Sequence, residues 1–326
     1  MNSTTQPPPA RPPAAAYFPE WSVVISSMIY VMIAILAVVG NALVVGSFIR
    51  HARLRTFTNY FVASLAVADI IVGLISIPMW TAFVILHPLS LTYPGYVMTY
   101  TVLDIFAGIT SILHLMVISL ERFYAVAYPV RHRNTNAWVY YICLVFVWVV
   151  PAVFAGTSEH FRKADKKVYM ITMFAVFFLL PLFVILLAYA GIWRVVRNRV
   201  IPQATQRSSN LKRDMRVIVT IALVIALFVI SWLPFFIINM LITFCKNCVI
   251  GFKGLPPLYS AHLLLFVKVM HYFNSAVNPV CYAVKIPEFR RAFRQLVGLC
   301  LCCNTATPKN SNANELFSGT AAPQSS

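Results

Sequence analysis

The sequence predicts an all-α membrane protein: a bundle of seven transmembrane helices followed by a short amphipathic eighth helix. Three observations carry the prediction. The 326 residues are 60% hydrophobic and only 11% charged, too apolar for a water-soluble domain of this length. Seven windows, about 22–49, 57–86, 97–127, 137–157, 168–196, 215–244 and 258–284, are long and apolar enough to cross a bilayer as helices. Their unbroken Val, Ile, Leu and Phe runs lack the alternation of a membrane β-barrel.

Charge gives the helices a direction. The formal net charge is +17, and its excess sits at helix ends. Arg50, Arg53 and Arg55 follow the first span, and Arg131 and Arg133 the third. A run from Arg194 to Arg216 joins the fifth to the sixth, and Lys285, Arg290, Arg291 and Arg294 follow the seventh. Positive residues stay in the cytoplasm, so the N-terminus is expected outside and the C-terminus inside. Basic residues confined to membrane ends do not describe a nucleic-acid surface.

Residues 1–21 are Pro- and Ala-rich and read as a disordered extracellular tail. They lack the pattern of a cleaved signal, so the first span is expected to act as signal and anchor. Asn2-Ser3-Thr4 is a glycosylation sequon on the outer side. Residues 22–284 form the membrane domain, 285–299 an amphipathic surface helix and 300–326 a cytoplasmic tail. Cys245 and Cys248 flank two residues at the outer end of the sixth span, where a local disulfide is permitted. Cys300, Cys302 and Cys303 follow "IPEFRRAFRQL", a setting that suits palmitoylation. Cys143 and Cys281 are packing residues.

Polar residues inside apolar spans are the functional candidates, because each is costly against lipid. Asn41, Asp69, Asp104, Ser111, Asn274, Ser275 and Asn278 all fall there and must face one another or water.

Ordered short motifs then carry a resemblance over residues 22 to about 297. "GNALV", "NYFVASLAVAD", "ERFYAVAYP", Trp148, Pro181 with Tyr189, "SWLPFF" and "NPVCY" fall on the seven spans in turn. They resemble the signatures of rhodopsin-like G-protein-coupled receptors. The resemblance implies a plasma-membrane receptor for a small extracellular ligand that activates heterotrimeric G proteins. Further implied partners are arrestin, receptor kinases and membrane lipid.

By that resemblance, Asp69, Ser111, Asn274, Ser275 and Asn278 match the cluster that holds an allosteric sodium ion, with no obligatory cofactor. Oxygen ligands suit a hard cation, and an interhelical hydrogen-bond network is the alternative. Ile112, Pro181 and Phe228 match the packing switch beneath the ligand, with Pro181 and Pro234 expected to kink their helices. Arg122, paired with Glu121 in place of the commoner aspartate, matches the residue that engages the G protein. Asp214 matches its latch on the sixth helix, and Tyr189 and Tyr282 are the accompanying switch tyrosines.

Asp104 precedes Arg122 by eighteen residues, about 27 Å along a helix. That height is the outer ligand cavity. Asp104 resembles the acid that pairs with an amine in aminergic receptors, where Trp232, Phe235, Phe236 and Tyr272 complete the pocket through cation–π contact. Met173 and Phe177 replace the serines that meet a catechol, and Val269 replaces a tryptophan. Lys268, one turn from Tyr272, is the competing partner for Asp104.

The outer end of the sixth span instead resembles adenosine receptors, including Asn239, which there holds the adenine ring, and Phe161 as a stacking aromatic. His271 stands one position from that group's histidine. Val97 stands where most of the family has a cysteine, and "GTSEHFRKADKKVY" has none, so this second outer loop is expected to be freer, without that cross-link's stabilisation. An opsin needs a lysine at Tyr272, and a transporter needs inverted repeats. No catalytic motif of an enzyme is present.

Overall fold

The computed structural model describes residues 20–86, 93–200, 208–245, 257–285 and 287–303, and all regular structure among them is helical. Seven long helices come first. They are α1 (Glu20–Arg50), α2 (Phe57–Ile85), α3 (Pro94–Ala127), α4 (Ala137–Ala164), α5 (from Lys166 to Val200), α6 (Ser208–Phe244) and α7 (Pro257–Lys285). A final helix, α8, covers Pro287–Cys303.

Helices α1 to α6 each contain a stretch long and apolar enough to cross a membrane. At 29 residues, α7 has the length, but Lys268, His271, Asn274 and Asn278 lower its hydropathy. All four are buried. Its polarity is turned into the bundle, where partners satisfy it, rather than toward lipid.

Local chemistry sets the helix starts. Thr56 accepts a hydrogen bond from Asn59 N and caps α2, while Asn136 accepts one from Trp138 N and caps α4. Pro94 opens α3, where its missing N–H costs nothing.

Prolines shape the interiors. In α2 a π-helical turn at Val72–Ser76 precedes Pro78, and in α5 another at Ala175–Leu179 precedes Pro181. Each wider turn relieves the crowding that a proline ring imposes on the turn before it. At Pro181 the expected disturbance therefore takes this form, whereas Pro234 lies inside an unbroken α6.

The segment expected to be freer for want of a cross-link is helical. Helix α4 continues to Ala164, and Asp165 alone separates it from α5. Glu159 pairs with Arg162 at 2.7 Å and Lys163 at 3.6 Å, supporting the extension. Asp165 Oδ1 then accepts from Lys167 N and Val168 N, starting the next helix.

Helix α3 runs through the centre and packs on α2, α4 and α5, while α7 packs on α1 and α6. Leu65, Ile112 and Phe228 belong to the larger apolar core, and Tyr30, Trp80 and Tyr272 to a second. Met28, Val31, Ile35 and Val39 leave an apolar outer stripe on α1, as lipid contact requires. Helix α8 lies against α1 and α7, burying Phe289 and Ala292 while Arg290, Arg291 and Arg294 are exposed. Its last turn takes in Cys300, Cys302 and Cys303, which the sequence placed in the tail.

Candidate ligand-binding site

A cavity of about 440 Å³ opens among α2, α3, α5, α6 and α7. Trp80, Tyr100, Phe235 and Phe236 give it aromatic walls, and Tyr169, Met170, Met173 and Phe177 form its α5 side. Asp104, Asn239, Lys268 and His271 are polar wall residues, and Arg162 and Lys166 come from the α4–α5 corner. Phe161 is 41% exposed and is not a wall residue, because the helical extension of α4 carries it away.

Asp104 and Lys268 are bound to each other. Lys268 Nζ donates to Asp104 Oδ2 at 2.7 Å, with the two side chains only 6% and 10% exposed. Tyr272 Oη donates to Asp104 Oδ1 at 3.2 Å, and His271 Nε2 lies 3.5 Å from the same oxygen. Tyr272 also shares a 2.9 Å hydrogen bond with Tyr100.

The ammonium of Lys268 is caged as well as paired. It lies 5.2 Å from the Trp80 ring centre, 5.4 Å from Tyr100, 5.0 Å from Phe235 and 5.3 Å from Tyr272. Such a box attracts a cation through the negative faces of its rings. The chain fills it with its own.

Trp80, Tyr100 and His271 were not assigned roles from the sequence. Tyr100 stands one helical turn before Asp104, a spacing that identifies a shared face. Residues 268, 271, 272 and 275 likewise form one stripe of α7, so His271 and Tyr272 both face inward. Nothing in the spacing within α2 brings Trp80 to this box.

The floor is apolar. Phe228 lies 6.0 Å from Trp232, and Ile112, Phe228 and Pro181 are all buried. Gly108 on α3 lets the Trp232 ring pack against the backbone.

Deeper still, Asp69, Ser111, Asn274, Ser275 and Asn278 are all buried. Asn278 Nδ2 donates to Asp69 Oδ2 at 2.8 Å, while Asp69 Oδ1 and Ser111 Oγ have no hydrogen-bond partner among the described residues. Asn41 ties α1 to α7 through a 3.0 Å bond to the Ser275 carbonyl.

At the far end of α3 from Asp104, Glu121 collects three partners. Arg122 Nε lies at 2.8 Å, His132 Nε2 at 2.9 Å and the Thr58 hydroxyl at 2.5 Å. His132 was unassigned because it comes from a single helical turn, Pro129–Arg133, that folds back under α3. Tyr282 is buried and packs 6.0 Å from Phe289, and Tyr189 packs against the larger core. Asp214 lies on α6, with its side chain outside the described part. Cys245 is disulfide-bonded; Cys248 and Asn2 lie outside the described residues.

Comparison with known proteins places this arrangement among relatives. The model for "7 transmembrane receptor (rhodopsin family)" matches residues 40–282. The "D(1)-like dopamine receptor" of Oreochromis mossambicus is 29% identical, over 86% of this chain and 80% of its own. The "Adenosine receptor A3" of Bos taurus is 30% identical, over 86% and 93%. The "Histamine H2 receptor" of Cavia porcellus is 31% identical, over 86% and 80%.

Proposed function

Because this chain belongs to the rhodopsin family of seven-transmembrane receptors, and is a non-enzymatic G-protein-coupled receptor for small ligands, we propose that its ligand enters the outer cavity and acts on the Lys268–Asp104 pair. One observation carries the reading: the ammonium of Lys268 occupies a box of four rings over a carboxylate. The pair ties α7 to α3. A ligand that separates the two favours a different standing of those helices, and it shifts the receptor by its difference in affinity for the two states.

The proposed ligand is a small, non-catechol amine whose ammonium takes over Asp104. Relatives named for dopamine, octopamine and histamine support an amine, and Met173 and Phe177 carry no hydroxyl for a catechol, leaving the Tyr169 phenol as the hydroxyl that α5 brings to the cavity. A nucleoside is the second reading, supported by Asn239 in the wall and by a relative named for adenosine.

The test is nucleotide exchange on G proteins in cells expressing the receptor, with panels of amines and nucleosides. Lys268→Met is expected to raise basal exchange without any ligand. An unchanged basal rate counts against the pair as the control point.

At the inner face, Arg122 leaves Glu121 to engage the G protein, with Asp214, Tyr189 and Tyr282 as the accompanying switch. The basic helix ends support a plasma-membrane receptor with its N-terminus outside and C-terminus inside. Receptor kinases and arrestin are proposed as further partners, with glycosylation at Asn2 and palmitoylation at Cys300, Cys302 and Cys303. An allosteric sodium ion is proposed at Asp69, Ser111, Asn274, Ser275 and Asn278. The buried, unpartnered oxygens of Asp69 and Ser111 fit a hard cation, which would neutralise the buried carboxylate.

A further inference from the structure

We propose that the ligand is a zwitterion, carrying an acidic group for Lys268 as well as an ammonium for Asp104. This rests on the reading that the ligand acts at the Lys268–Asp104 pair. Charge balance is the first reason. The pair is neutral and buried, and a bare amine entering it leaves two ammonium groups around one carboxylate. In a poorly solvated cavity that surplus charge is costly. A zwitterion leaves none, because its carboxylate takes Lys268 as its ammonium takes Asp104.

Hydrogen bonding is the second, independent reason. Trp232 and His271 line the cavity, yet Trp232 Nε1 and His271 Nδ1 are buried without a hydrogen-bond partner among the described residues. An indole N–H only donates. It needs an acceptor, which an ammonium cannot be and a carboxylate is.

The rim agrees. Arg162 and Lys166 lie in the cavity wall at the α4–α5 corner, and Glu159 offsets Arg162. Lys166 adds an exposed positive charge, which draws an acidic group toward the opening. The ligand class that satisfies all three features is a small amino acid with an apolar or aromatic body.

The test uses three probes of one skeleton: phenylalanine, phenethylamine and 3-phenylpropionate. Each is titrated at millimolar concentration against purified full-length receptor, reading thermal stabilisation. Wild type is expected to bind phenylalanine at least about tenfold more tightly than either other probe. Lys268→Met, which leaves Asp104 unbalanced, should reverse the order in favour of phenethylamine. The neutral double variant Lys268→Met/Asp104→Asn, which removes both charges and keeps the test open if the single variant fails to fold, should lose the preference altogether.

Phenethylamine outranking phenylalanine on wild type overturns the zwitterion while leaving the amine reading. Preference for 3-phenylpropionate overturns both. A double variant that still favours phenylalanine, or no stabilisation of wild type by any probe, overturns the zwitterion. The ligand-free basal exchange of Lys268→Met reports separately on the pair as control point.

Discussion

A Cβ on Gly108 would overlap Cη2 of Trp232. The two helices therefore meet ring against backbone at the floor of the cavity, directly above Phe228. Gly108→Ala should displace the indole and cost about 1–3 kcal/mol, the usual penalty of overpacking. It should also change basal nucleotide exchange, because Trp232 lines the cavity and packs on Phe228. A variant with wild-type melting temperature and basal rate would mean that the ring yields freely and transmits nothing.

Asp104→Asn should destabilise the receptor by about 3–5 kcal/mol, since it strands the buried ammonium of Lys268. Adding Lys268→Met removes the stranded charge and should recover most of the loss. Thermal unfolding of Asp104→Asn, Lys268→Met and the double variant is the measurement. Additive losses in the double variant would show the two groups to be energetically independent, against the 2.7 Å contact.

Arg122→Ala is expected to abolish G-protein activation with surface expression largely intact. His132→Phe acts on the other side of the same carboxylate. It removes the 2.9 Å contact to Glu121 and should raise basal exchange by loosening the arrangement that holds Arg122. The exchange assay separates the two, and a basal rate in His132→Phe equal to wild type would reduce that contact to packing.

If the proposed sodium ion at Asp69 binds the inactive arrangement better, sodium should weaken agonist binding in wild type. Asp69→Asn should remove that dependence. Agonist titrations in sodium and in a large organic cation at equal ionic strength make the comparison. Parallel responses in mutant and wild type would leave Asp69 as a member of a hydrogen-bond network alone.

The seven spans were legible because lipid imposes a single strong signal, a long apolar run, and Asp104 was legible because it violates that signal. The height of Asp104 above Arg122 followed from helix rise alone. The Lys268 partnership could be stated from the shared face of α7 but not decided, since spacing cannot tell whether a lysine reaches across to α3. Trp80 and His132 were illegible for a related reason: each meets its partner only after separate segments converge. The helical α4–α5 corner was not foreseen, because a missing cysteine was taken to leave the segment freer and its order weaker. Charge pairs of Glu159 and the cap of Asp165 supply that order without a cross-link.

That corner has a practical consequence for handling the receptor. Its shape depends on ionic contacts and a hydrogen-bonded cap, so a reducing agent has nothing there to cleave. Concentrated salt, by contrast, screens exposed charge pairs and should loosen the rim formed by Arg162 and Lys166. Ligand association at this receptor should therefore respond to ionic strength, while the α4–α5 side of its entrance stays indifferent to redox conditions.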